Sequence, residues 1–313
     1  MRRTALLAYA FVLTVAGLAG AAPVWAHGTV GDYTFLEPIV ADDANPKNEF
    51  DILRPQWTRS ADGRNFSLGF SFEKTLVPAP DSMSNGAKGG GLVSVEIGSA
   101  WVYNSPKAGA PASGFNEMEI LPKWAFWTVP EREFRLSIAA KLIVPTGNAA
   151  VEDQHHTQIG PELLWAKGFG QDLPEKGFLK YFRPFGIQGD FGYTPAVGGA
   201  TLHEMFADNV LEYSLPYLSN NVKDIGLPWP VRNMYPYVEF NYDQLITGPS
   251  GQTFPQINVT PGLAFMNYYI ELSVATQLAV NQATVPNNHA TIIGLLDLFI
   301  DDIVPQVNWT PFK

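Results

Sequence analysis

Phe134-Arg135-Leu136-Ser137-Ile138-Ala139-Ala140-Lys141-Leu142-Ile143-Val144 decides how this chain is read. Every second residue from Phe134 to Val144 is apolar. The opposite parity carries Arg135, Ser137, Ala139 and Lys141, with Ile143 the one residue out of character. A period of two places these sets on opposite faces of a strand, whereas a helix would mix them around its circumference. A soluble core has no use for two cations on one buried face. A tilted strand of about this length crosses a bilayer, with lipid on one side and a polar interior on the other. The fold then depends on whether the pattern recurs.

Composition favours recurrence. Of 313 residues, 28 are Gly and 25 Pro, 13% are aromatic and 16% charged, a mixture suited to many strands joined by many turns. There is no cysteine, so an exported fold would hold together without disulfides. A net charge of −10 argues against a nucleic-acid partner, whose phosphates require a basic face. Residues 1–26 read as a secretory signal. Met1-Arg2-Arg3 is followed by an apolar run, and Val24-Trp25-Ala26 is a cleavage site leaving His27 first.

Residues 27–47 read as an N-terminal periplasmic segment ending in the turn-rich Ala41-Asp42-Asp43-Ala44-Asn45-Pro46, and 48–313 as the barrel. The alternation recurs in Phe66/Leu68/Phe70/Phe72, Val93/Val95/Ile97, Phe185/Ile187/Phe191, Val238/Phe240/Tyr242 and Ile270/Leu272/Val274, among others. With a first strand at 52–60 and a last at 290–304, the pattern predicts an all-β chain: a single antiparallel transmembrane β-barrel of about twelve strands. An even count brings both termini to one side of an outer membrane. Tight links are expected at Pro130-Glu131 and Asn267. Pro122, Pro161 and Pro261 fall inside predicted strands, where each removes a ladder donor.

Four stretches carry a family resemblance: Leu142-Ile143-Val144-Pro145-Thr146-Gly147, Ile159-Gly160-Pro161-Glu162-Leu163-Leu164, Pro184-Phe185-Gly186 and Val259-Thr260-Pro261-Gly262-Leu263. Together the chain resembles the outer-membrane β-barrel family of the MetA pathway of phenol degradation, over roughly residues 66–304. The resemblance implies a transporter-like barrel for small solutes, including hydrophobic or aromatic compounds.

The inward parity is strongly acidic. Glu73, Glu96, Glu117, Glu119, Glu162, Asp190, Glu212, Glu239, Asp243, Glu271 and Asp297 share it, answered there by Lys123, Arg135 and Lys141. These residues are the lumen-lining candidates. An open lumen of this sign would favour cations and polar neutral solutes. The same residues would equally suit a filled interior in which carboxylates and cations pair with one another. The three cations are expected to pair with lumen carboxylates. His27 and the run Glu152-Asp153-Gln154-His155-His156 have metal-compatible side chains but no second ligand set, so no metal and no cofactor is expected. No Ser–His–Asn arrangement is legible, and the chain is expected not to be an enzyme. Trp124, Trp165 and Tyr242 have the parity of a lipid-facing belt.

The function these observations predict is an outer-membrane channel in a Gram-negative cell, with membrane lipid and a small solute as partners. Two other readings stay open: a structural or partner-binding barrel with a filled interior, and a soluble exported β-sandwich.

Overall fold

The computed structural model describes residues 28–60, 63–84, 90–151, 156–197, 203–247, 255–281, 288–304, 306 and 309–312. The signal over 1–26 and His27 lie outside these residues, as do 152–155. Twelve strands form one closed antiparallel barrel. They are β1 (Glu49–Ser60), β2 (Gly63–Pro78), β3 (Gly91–Pro106), β4 (Met118–Val129), β5 (Phe134–Val144) and β6 (Gln158–Gly168). The chain continues with β7 (Phe185–Pro195), β8 (His203–Tyr213), β9 (Met234–Thr247), β10 (Pro255–Met266), β11 (Ile270–Ala279) and β12 (Asn288–Phe299). Each strand pairs with its neighbours in sequence, and β12 closes on β1 through Phe299↔Glu49 to Asn288↔Ser60. A short strand, Ala112–Phe115, continues β4 beyond Asn116-Glu117 against the far half of β3. One closed sheet excludes the two-sheet sandwich. Closure leaves none of the twelve strands as a sheet edge, so each can satisfy its backbone without water.

The deciding stretch behaves as its period requires. On β5, Arg135, Ser137, Ala139 and Ile143 are buried, while Ile138 faces outward at 42% exposure. Outward stripes of the same kind include Phe66, Phe70 and Phe72 on β2, Ile187 and Phe191 on β7, and Leu272, Val274 and Leu278 on β11. A continuous apolar belt of this sort needs lipid. Trp124 belongs to it, as expected. Among the described residues, no helix is long and apolar enough to cross a membrane.

The prolines are absorbed by giving up one ladder and keeping the other. Pro122 stays opposite Val95, while the ladder from β4 to β5 steps from Ile120↔Leu142 to Lys123↔Ala139. Pro261 stays opposite Val238, and the ladder to β11 jumps from Val259↔Leu278 to Gly262↔Ala275. Pro161 pairs with Ala140, and the ladder from β6 to β7 ends one residue away at Glu162↔Gly192. Each proline therefore sits where its missing N–H has no partner to disappoint.

Strand ends depart modestly from the sequence reading. The first strand starts at Glu49, not Ile52. A register shift between Asp51 and Arg54 lets Ile52 and Leu53 both face outward and returns Arg54 to the interior side. The last strand stops at Phe299, where Ile300–Ile303 turns into a short helix. The tight links at 130–133 and 267–269 lie at the same end as Glu49 and Phe299.

The largest difference concerns residues 28–48. The sequence predicts an N-terminal periplasmic segment over 27–47; from Gly28 to Asn48 the chain is buried along most of its length against inward side chains of the strands. A hairpin, Thr29–Val30 with Tyr33–Thr34, leads an extended run to Asn48. Leu36, Ile39 and Ala41 pack with Val210, Tyr235, Ala264 and Ile293. Val30, Tyr33, Phe35 and Ala44 pack with Leu121, Leu164 and Tyr217. Tyr33 is fully buried because Gly168 and Gly186 leave its ring room. A Cβ on Gly168 would lie 2.8 Å from the Tyr33 ring, and one on Gly186 would lie 2.7 Å from its hydroxyl.

Candidate functional site

An extended run outside the sheet has backbone N–H groups that no ladder satisfies, and burial makes that costly. Here the inward carboxylates accept them. Glu239 takes three, from Ile39 at 2.7 Å, Val40 at 3.0 Å and Ala41 at 3.3 Å. Glu212 accepts from Leu36 N at 3.3 Å, Glu271 from Glu37 N at 3.0 Å and Asp190 from Asp42 N at 2.7 Å. Glu73 accepts from Lys47 N at 3.3 Å. Five carboxylates on five different strands thus hold one segment by its backbone. In the reverse direction, Gln188 Nε2 donates to Leu36 O at 2.8 Å, and the Ser137 hydroxyl donates to Ala44 O.

Charge fixes the second half of the segment. Lys141 Nζ meets Asp42 at 2.6 Å and Glu119 at 3.5 Å. Lys123, fully buried, lies 3.3 Å from Asp43 and 3.4 Å from Glu73. The segment supplies a cation of its own. Lys47 Nζ pairs with Glu37, with Asp43 at 3.1 Å and with Glu49 at 2.8 Å. Those three carboxylates are close enough to hold a metal ion, and the Lys47 ammonium bridges them. Arg54 Nη2 adds Asp51 at 2.6 Å and Glu37 at 3.6 Å. Adjacent charges of opposite sign are needed in a low-dielectric interior, where an unpaired one would be expensive.

Arg135 corrects one expectation. Among the described residues it pairs with no carboxylate, donating from Nη1 to Asn45 Oδ1 at 2.9 Å and from Nε to Thr128 Oγ1 at 3.2 Å. Glu162 is buried beside Asp42. Asp297, also buried, stands opposite Asp51 across the β12–β1 ladder. Asp243 is half-buried on the Lys141 side. Glu96, Glu117 and Glu119 form a separate group. With Arg54, Asn116 and Asp42 they line a cavity of about 210 Å³ toward the end away from Glu49 and Phe299. Asp42 of the inserted segment contributes to its wall.

The residues that sequence reasoning missed are those of the segment itself: Glu37, Asp42, Asp43, Asn45 and Lys47. Phe35-Leu36-Glu37-Pro38-Ile39-Val40 was the available signal, since it is too apolar for a free linker.

The fold defines an outer-membrane β-barrel: closed, twelve-stranded, apolar outside, with polar and charged side chains of both signs buried within. No protein-family model matches the sequence, and no curated protein matches it. Among solved structures, it is similar to the COG4313 outer membrane channel from Pseudomonas putida F1, with TM-score 0.52 and 8% identity, over 85% of this chain and 99% of that chain. The KdgM porin aligns with TM-score 0.40 and 8% identity over 79% of this chain and 97% of that chain. Outer membrane phospholipase A from Escherichia coli aligns with TM-score 0.39 and 7% identity over 82% and 93%. At these identities the likeness is one of fold. The last neighbour also corrects the expectation that the chain is not an enzyme. The solved barrels it aligns with include an enzyme, so that expectation is not upheld.

Proposed function

We propose that this protein is an outer-membrane channel for small solutes whose acidic interior favours cations and polar neutral compounds. The observation that carries the reading is the cavity of about 210 Å³ lined by Asp42, Glu96, Glu117 and Glu119, where Arg54 is the one cation among the described wall residues and Lys141 reaches Asp42 and Glu119. Low-dielectric walls of one sign concentrate counter-ions. The similarity in fold to an outer membrane channel supports the same reading. The motif resemblance to the MetA phenol-degradation family adds small aromatic compounds to the solutes to be tried.

Residues 28–48 favour a second reading, a barrel whose interior is filled and which conducts nothing at rest. A planar-bilayer measurement under a salt gradient separates the two. Cation-biased current that falls when Glu96, Glu117 and Glu119 are all changed to Gln supports the channel. Higher salt should shrink the bias by screening. Silence from both the full chain and a chain lacking residues 28–47 supports the filled barrel.

A further inference from the structure

We propose that the rim carrying the tight links and the ends of β1 and β12 is a membrane-interface collar, in which three segments, 178–182, 225–231 and 309–312, dock into the phospholipid leaflet around the barrel. The four most exposed large apolar side chains among the described residues are Phe178 at 73%, Trp309 at 64%, Trp229 at 62% and Phe312 at 60%. None belongs to a barrel strand, and all four lie at this one rim. In water such groups would be turned inward, yet here hydrogen bonds hold their segments in place. Arg183 Nε donates to Gly170 O at 2.5 Å, the Tyr213 hydroxyl to Tyr181 O at 3.0 Å, and Asn233 Nδ2 to Met266 O at 3.0 Å. At the third segment, Phe312 N donates to Leu76 O at 3.1 Å.

Each segment continues a lipid-facing stripe of the wall. Phe182 stacks on Phe185 at 5.9 Å, and Phe185 meets Tyr213 edge-on at 4.8 Å, above the outward Ile187 and Leu211. Trp229 meets Phe265 edge-on at 6.3 Å, above the outward Leu263. Trp309 lies 5.5 Å from the ammonium of Lys74, two residues beyond the outward Phe72. Aromatic rings beside the lysines Lys74, Lys176 and Lys180 have the composition of the boundary between acyl chains and headgroups. The first two segments stand over the neighbouring strands β7–β10, and the third stands over β2, four strands further round the wall through β11, β12 and β1. A protein docked on one sector would leave the other bare, whereas a leaflet surrounding the barrel reaches both. Long connections on this side are then part of the anchor.

The chain has no cysteine, which permits single nitroxide labels. Phe178→Cys, Trp229→Cys and Trp309→Cys would each be labelled in the full chain in phosphatidylethanolamine/phosphatidylglycerol vesicles. Accessibility to oxygen and to a nickel chelate would then be compared. Ile138→Cys supplies the mid-membrane reference, and Lys107→Cys, on an exposed loop at the far rim, the aqueous one. The expected result is an oxygen-to-nickel ratio between the two references, several-fold above that of Lys107. Ratios equal to Lys107 would overturn the collar, and so would shielding from both reagents, which would mean protein cover. Should any variant fail to fold, Leu179→Cys, Ile225→Cys and Phe312→Cys report the same three segments.

Discussion

The outward and inward faces of the same strands solve different problems. Outward, Ile138 and Phe191 need only an apolar neighbour, and lipid supplies one without specifying position. Inward, Glu239 must meet the N–H groups of Ile39, Val40 and Ala41, and Lys123 must meet Asp43 and Glu73. The outer face is therefore tolerant of exchange among apolar residues. The inner face is a set of individual fits, because polar groups in a low-dielectric interior are costly when unpaired.

That contrast can be broken most directly at Lys123. Lys123→Met should cost about 3–5 kcal/mol, the usual penalty for leaving buried charges uncompensated, read from urea unfolding in vesicles. A loss below 1 kcal/mol would mean that the interior is wetter than the pairing implies. Glu239→Ala removes the acceptor of three amides, each worth about 1–3 kcal/mol when stranded, and so should release residues 28–48. Limited proteolysis then cleaves within 28–48 in the variant and spares the parent; equal protection in both would deny Glu239 this role.

On the outer face, Ile138→Arg should destabilise by roughly 2–4 kcal/mol near mid-bilayer, while Ile138→Val stays near neutral. An open lumen would accept Arg at the adjacent position 137. The structure predicts otherwise, since Ser137 is buried and its hydroxyl donates to Ala44 O. Gly168→Ala, crowding the Glu133 carboxylate and the Tyr33 side chain, should cost about 1–3 kcal/mol by overpacking, read from the same urea unfolding.

The smallest expected effect concerns pH. Burial pushes the Glu133 carboxyl above its ordinary 4.5, against the Tyr217 hydroxyl and the Gly170 amide that hold it down. Folding therefore favours its protonated form. That contribution is complete below 4.5 and fades as pH climbs through the raised value. Glu133→Gln should flatten this part of the stability–pH curve, and an unchanged slope would remove Glu133 from it.

The sequence by itself determined the barrel. Alternation over β2, β5, β7 and β11 states which face meets lipid, because every outward residue answers to the same apolar phase. The even strand count and the turns at 130–133 and 267–269 were legible for the same local reason. The prolines were readable as ladder breaks, but which of two ladders would yield depended on register. What only the tertiary structure decided is what the carboxylates are for. Parity puts Glu212, Glu239 and Glu271 on one face, but nothing local says that their partners are the amides of residues 36–41, some 170 to 240 positions away in the chain. Hydrogen bonds to backbone leave no mark in side-chain identity, so the apolar run 35–40 can show that the segment is buried but not which carboxylates hold its amides.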